Sequence, residues 1–237
     1  MSRPAKEFAP YRKHVVGTQP PYRLDAYAST HQRAPSQALI EVPQTLSEIT
    51  GPRFGRAALR PGDQDLTQFH GGSAVGERIH VGGRIVDEDG EPVRDALIEI
   101  WQANAAGRYV HAGDQHNAPL DPHFSGMGAT VSDRQGRYRF TTIKPGTYPW
   151  RNHRNAWRPA HIHFSLFGNA YAQRLVTQMY FPGDPLMPFD PIFNSTSDHA
   201  ARERLIAAFD WDTTEPEYAL GFRFDIVLRG RDQTPME

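Results

Sequence analysis

The chain contains no cysteine. A disulfide framework, a zinc–thiolate site and an iron–sulfur cluster are therefore excluded, and any metal must be held by His, Tyr, Asp or Glu. An excess of one charge is also missing: 26 Lys and Arg stand against 27 Asp and Glu, for a formal net charge of -1. That balance gives no electrostatic reason for a nucleic-acid or membrane partner, and neither is expected. No apolar run approaches the length of a membrane span, and Met1-Ser-Arg-Pro-Ala-Lys-Glu-Phe8 lacks the apolar stretch of a secretion signal. A cytoplasmic location is the expectation. Internal repeats and low-complexity tracts are lacking as well.

What is present suits a turn-rich all-β chain: 20 Gly and 20 Pro among 237 residues, with 38% hydrophobic and 11% aromatic. Residues 1–75 show little periodicity and are either disordered or an irregular arm laid over something else; Phe8, Tyr11, Tyr22, Tyr27, Phe54 and Phe69 favour a packing arm, with a partner subunit as the expected surface. Within it, Leu39–Pro43 suggests a short strand and Thr45–Thr50 a helical turn. Residues 76–237 read as the catalytic domain. Strands are predicted at Arg78–Val86, from Pro92 to Trp101, at Gly128–Asp133, Arg137–Ile143, His161–Phe167 and Arg174–Tyr180, and at Gly221–Arg229, with Phe222, Phe224, Ile226 and Leu228 inward. Short strands with regular turn signals argue for a β-sandwich. One short helix is expected at Asp198–Phe209, capped by Asp198, with Ala201, Leu205, Ala208 and Phe209 as its buried stripe.

The chemistry concentrates in Pro145-Gly-Thr-Tyr148-Pro-Trp150-Arg and Trp157-Arg158-Pro-Ala-His161-Ile-His163-Phe164. Side chains on a strand alternate faces, so His161, His163 and Ser165 point one way while Ile162, Phe164 and Leu166 point into the core. Two imidazoles on one face can bind one metal ion. A cupin-type site would want a Glu shortly afterwards, and Phe164-Ser-Leu-Phe-Gly168 has none, so the other ligands come from elsewhere. Tyr148, with proline or its restriction on either side, is an aimed phenol. Tyr109, in Asn104-Ala-Ala-Gly-Arg-Tyr109, is a second candidate; either tyrosine would otherwise be a packed aromatic with its hydroxyl hydrogen-bonded. A phenol with a pKa of about 10 ligates at neutral pH only if the metal is acidic enough to take its proton. Two tyrosinates, a hydroxide and two neutral imidazoles would suit ferric iron better than zinc or magnesium. Arg158 is placed to hold an anion near such a metal, or else forms a salt bridge.

The set Trp101-Gln-Ala-Asn-Ala-Ala-Gly-Arg-Tyr109, Thr142-Ile-Lys-Pro-Gly146, Tyr148-Pro-Trp-Arg-Asn152, Trp157-Arg-Pro-Ala-His-Ile-His-Phe164 and Arg223-Phe-Asp-Ile-Val-Leu-Arg-Gly230 resembles the intradiol ring-cleaving dioxygenases, from about Tyr27 onward. The resemblance is to the iron-bearing subunits of that family. It implies their transthyretin-like β-sandwich and one non-haem Fe(III) per chain, with Tyr109, Tyr148, His161 and His163 as metal ligands. Tyr148 and His163 would be axial. The expected activity is cleavage of a catechol by O2 between its two hydroxylated carbons, in aromatic-compound breakdown. The expected substrate is 3,4-dihydroxybenzoate, with another substituted catechol such as a sulfonated one as the alternative. Tyr148 would accept a substrate proton and Arg158 would steady developing negative charge. Tyr27, Trp150, Gln178 and Ile192 match positions lining the substrate or oxygen pocket. The implied partner is a homologous α subunit lacking the ligands, in αβ units of a larger oligomer. Family members usually carry Pro where Thr147 stands and Arg where Val110 stands; both lie beside a ligand and neither removes one. A non-catalytic sandwich used for binding or assembly is the competing class, and the presence of the whole ligand set speaks against it. Relatives acting on catechol or hydroxyquinol have a helical N-terminal region, whereas residues 1–75 do not read as helical.

Overall fold

A computed structural model describes residues 14–40, 59–155, 157–168 and 174–237. Strand β1 (Arg78–Val86) is the spine of one sheet. It pairs antiparallel with β4 (Arg137–Ile143) and parallel with β10 (Leu220–Arg223) and β11 (Ile226–Val227). The second sheet has the order β3-β2-β7-β8: Met127–Val131, Leu97–Trp101, His161–Phe167 and Arg174–Tyr180. A small hairpin of β5 (Tyr148–Pro149) and β6 (Trp157–Arg158) makes a third sheet.

The alternation predicted for these strands is the alternation seen. Ile162, Phe164 and Leu166 of β7 are 0% exposed and pack between the sheets with Ile79, Val81, Ile98 and Phe224. Phe164 meets Tyr138, Phe140 and Phe224 with ring centroids at 6.1, 5.8 and 5.2 Å. Burying each such side chain contributes about 1.5–3 kcal/mol. The opposite face of β7 is the one that carries the histidines. Register places His161 beside Tyr180, and His163 between Trp101 and Gln178.

Several expectations need correction. The strand expected from Pro92 begins only at Leu97, because Asp95 adopts φ 53° and turns the chain first. The final strand is two short ones. Between them the Phe224 carbonyl accepts from the Tyr138 hydroxyl (2.5 Å), and the Asp225 carboxylate accepts from the Arg84 N–H (2.9 Å), replacing ladder bonds. Phe222, Phe224, Ile226 and Leu228 are nonetheless all buried.

The helix expected at Asp198–Phe209 covers only His199–Glu203 (α3). Asp198 caps it as expected, accepting from the Ala201 N–H at 2.8 Å. It stops because the edge of β8 competes for the chain: Tyr180 N–H bonds the Leu205 carbonyl (2.8 Å), and Ala207 N–H bonds the Tyr180 carbonyl (2.9 Å). Ala208–Phe209 then form β9 on β10, so Ala201 and Leu205 are buried but Ala208 and Phe209 are exposed. Nor is α3 the single helix expected. Among the described residues α1 (Thr30–Arg33) and α2 (Pro191–Ser195) join it, with short 3-10 turns at Phe69–Gly71 and Met187–Phe189.

Of the suggested strand Leu39–Pro43, Leu39 and Ile40 are exposed and not in a strand; its remainder, the turn at Thr45–Thr50, Phe8, Tyr11 and Phe54 lie outside the described residues. Residues 63–66 bond to the sandwich through Ala129 N–H to Asp63, Thr141 N–H to Gln64, and Leu66 N–H to Thr141. No helix among the described residues is long and apolar enough to cross a membrane.

Candidate metal centre

Four side chains predicted to act together are brought together. His161 and His163 come from one face of β7, with ring centroids 4.9 Å apart. Tyr148 comes from the β5–β6 hairpin, where it pairs with Arg158, and lies 5.4 Å from the His161 ring. Tyr109 comes from the loop after β2, 5.3 Å from Tyr148 and 6.4 Å from His163. Each ring thus neighbours two others in a closed circuit.

The Tyr109 loop is built locally. Asn104 Oδ1 accepts from the Ala106 and Arg108 N–H groups (3.0 and 2.9 Å), and Asp114 accepts from the Tyr109 N–H (2.7 Å). Such side-chain-to-backbone bonds stabilise a turn in place of sheet. Gly107, at φ 76°, lets the loop press on the hairpin: a Cβ there would sit 2.0 Å from the Thr147 carbonyl oxygen. Thr147 therefore contributes backbone to this contact, and Val110 is solvent-exposed.

The imidazoles are oriented from behind. His161 Nδ1 donates to the Pro159 carbonyl (2.7 Å), which leaves Nε2 as a lone pair facing the Tyr148 hydroxyl (3.2 Å) and Arg158 Nη1 (3.3 Å). His163 Nδ1 donates to Glu237 Oε2 (2.7 Å), leaving its own Nε2 free of that bond. Fixing one ring nitrogen in this way is how metal-binding histidines are commonly aimed. Burial, then the Arg158 charge and His163, hold His161 well below the usual histidine range, so it is neutral. Burial, reinforced by nearby Tyr148, pushes the Tyr109 phenol well up. Burial raises Tyr148 too, with Arg158 opposing the shift. The Tyr109 hydroxyl is buried and, although the Tyr148 hydroxyl is near enough to act on it, makes no hydrogen bond of normal geometry. Leaving such a group unsatisfied costs about 1–3 kcal/mol, so it calls for a ligand. The two imidazoles, each with Nδ1 committed elsewhere, and the two protonated phenols make a donor set for a cation acidic enough to displace phenolic protons. Among the described residues no group of three or more His, Cys, Asp or Glu side chains is placed to hold a metal; half of this donor set is tyrosine.

Arg158 is 2% exposed. It is salt-bridged, but inside the molecule: Nε and Nη2 bind the Asp190 carboxylate (3.0 and 2.8 Å), and Nη2 also reaches Gln178 Oε1 (2.7 Å) and the Tyr180 hydroxyl (2.9 Å). Trp150 stacks on its guanidinium at 5.2 Å, and Tyr27 meets Trp150 edge-on at 4.7 Å. Tyr27 and Ile192 share the lining of a cleft of about 230 Å³ with Arg33, Thr30, Ser195 and Glu237. The cleft lining does not include the four donors; Glu237, which does line it, is the residue that touches His163. Gln178 lies behind the histidines instead, donating to Glu237 Oε2 at 2.7 Å.

Asp190, Tyr180 and Glu237 are absent from the predicted site. Two of them have a local signal: Asp190-Pro191 is a helix-start signature, and Tyr180 shares a strand face with Gln178. Glu237 reaches His163 across 74 positions and has none. Its carboxyl, which burial alone would raise, is held below the usual range by hydrogen bonds from His163 and Gln178.

Residues 49–230 match a family model described as dioxygenase, and residues 8–45 one described as the N-terminal part of protocatechuate 3,4-dioxygenase beta subunits. The chain is 58% identical over 222 residues to a protocatechuate 3,4-dioxygenase beta chain of Burkholderia cepacia, covering 93% of this chain and 94% of that one. It is 31% identical over 202 residues to a protocatechuate 3,4-dioxygenase alpha chain of Pseudomonas putida, 81% of this chain and 95% of the other. Among solved structures, 3-chlorocatechol 1,2-dioxygenase from Rhodococcus opacus 1CP superposes with a TM-score of 0.53 at 26% identity, over 76% of this chain and 71% of that one.

Proposed function

The chain belongs to the intradiol ring-cleavage dioxygenases, and from that premise we propose that it cleaves protocatechuate with O2 between the two hydroxylated carbons, giving 3-carboxy-cis,cis-muconate. Both oxygen atoms enter the product. The observation that carries the metal-dependent reading is the closed circuit of Tyr109, Tyr148, His161 and His163 around a buried phenol that makes no hydrogen bond of normal geometry. The name of the Burkholderia relative supports the choice of catechol.

These four residues would hold one non-haem ferric ion per chain. Bound there, it supplies Lewis acidity toward the phenols and the catechol, and makes the ring reactive toward O2. The protein's own contributions follow from the geometry. The Pro159 and Glu237 contacts fix both rings through Nδ1, so that each Nε2 is the nitrogen left to bind an ion. Having given up its own proton when it holds the ion, Tyr148 Oη, beside the Arg158 charge, would accept one proton from the catechol as the substrate binds as an anion. Arg158 then offers a buried positive charge to the negative charge that develops on the ring and oxygen. Tyr27, Trp150 and Ile192 orient the ring, and burial of the site keeps competing water away. The P. putida relative supports a homologous α subunit as partner in αβ units, with residues 1–75 as the contact arm and residues 76–237 as the catalytic domain.

The test is the visible absorption of the complex co-purified with its α partner, before and after protocatechuate is added without oxygen. A broad band that shifts on addition is expected from tyrosinate bound to ferric iron and from substrate chelation. An iron-replete but colourless protein refutes the two-tyrosinate site. Product analysis with protocatechuate and 4-sulfocatechol decides the ring substituent.

A further inference from the structure

The Arg158–Asp190 pair is buried on both sides, at 2% and 0% side-chain exposure, and the reaction as described uses only the arginine. A buried ion pair is costly to desolvate and is weak evidence for stability, so its presence asks for another reason. The division of the guanidinium supplies one. Asp190 Oδ1 takes Nε at 3.0 Å, and Oδ2 takes Nη2 at 2.8 Å. Nη2 is further committed to Gln178 and Tyr180. The remaining nitrogen, Nη1, faces His161 Nε2 at 3.3 Å. That lone pair is the one a ligated ion would occupy, and once it is taken Nη1 must find a different acceptor. A two-pronged carboxylate on one edge of a planar guanidinium fixes the direction of the other edge. Asp190 Oδ2 also accepts from the Phe193 N–H at 3.2 Å, capping α2, the helix that carries Ile192.

We propose that Asp190 is a positioning residue for ring cleavage: it clamps the Nε–Nη2 edge of Arg158 so that Nη1 is presented to the anionic catechol, and it ties that placement to the helix carrying Ile192. The proposal rests on the reading that Arg158 acts on the substrate anion. Asp190 does not itself touch substrate; it sets where the Arg158 charge sits, and a shift of about 1 Å in such a group can cost on the order of a hundredfold in rate.

The test compares wild type, D190N, R158M and the double variant D190N/R158M, each assembled with the α partner. Iron content, kcat and KM for protocatechuate are measured, together with a crystal structure of D190N. In D190N, kcat is expected to fall about a hundredfold, with iron content retained, KM changed only a few-fold and the Arg158 side chain displaced. R158M is expected to lose at least as much. The double variant is expected to be no slower than R158M alone, because a residue acting through Arg158 has nothing left to position. Should D190N alone fail to fold, the double variant, which removes both buried charges, still gives the comparison with R158M. Wild-type kcat in D190N, an unmoved Arg158, or a double variant slower than R158M overturns the clamp. A fully active R158M instead overturns the role of Arg158 and removes the clamp's purpose with it.

Discussion

The inner face of strand β7 is buried and the outer face nearly so, yet they behave as different materials. On the inner face Ile162, Phe164 and Leu166 meet other apolar side chains, and that attraction has no direction. On the outer face His161 and His163 are held by directed bonds to Pro159 and Glu237, and the neighbouring Tyr109 hydroxyl makes no hydrogen bond of normal geometry. The inner face is complete as it stands and supplies stability. The outer face spends stability on an unsatisfied donor and on a buried ion pair. The ferric ion proposed above would complete the outer face; the inner face has no such need.

Breaking one face should leave a signature the other cannot imitate. The largest effect is expected from H161A: iron and ring-cleaving activity are lost together while the fold is kept, as metal analysis, oxygen uptake and circular dichroism will show. F164A should do the reverse, costing about 3–5 kcal/mol of stability; urea unfolding of the metal-free chain measures it, and iron affinity should persist in whatever remains folded. Y109F sharpens the contrast by changing sign. Removing a buried hydroxyl that makes no hydrogen bond of normal geometry should stabilise the metal-free chain by about 1 kcal/mol, while the visible band of the iron-loaded protein disappears. A metal-free Y109F less stable than wild type would show that the hydroxyl is satisfied after all.

The smallest effect lies on the other sheet. His80 of β1 has its pKa lowered by burial and by Arg139, which together outweigh Glu215. Below about pH 6.5 the unfolded chain then binds a proton that the folded chain does not. Stability is therefore full above that value and declines as pH falls toward the folded pKa. In H80Q this part of the acid-side decline should vanish, which urea midpoints at pH 5.0 and 7.5 will detect.

Legibility in the sequence followed the range of the interaction. Arg78–Val86, Arg137–Ile143, His161–Phe167 and Arg174–Tyr180 occur with the expected bounds, because alternation within a strand is a local property. The helix at Asp198 began where its cap indicated and ended where it did only because Tyr180 bonds Leu205 and Ala207. No composition of residues 204–209 announces that competition.

By itself the sequence determined the sandwich pattern, the H-x-H pair and its facing, the exclusion of thiolate chemistry, and the motifs that mark the family. Tertiary structure alone decided that Asp190 divides the nitrogens of Arg158 from 32 positions away and that Glu237 aims His163 from 74 positions away. Strand facing follows from the covalent geometry of consecutive residues. Which distant carboxylate meets which cation depends on how loops close over a finished sheet, and local pattern carries no record of that.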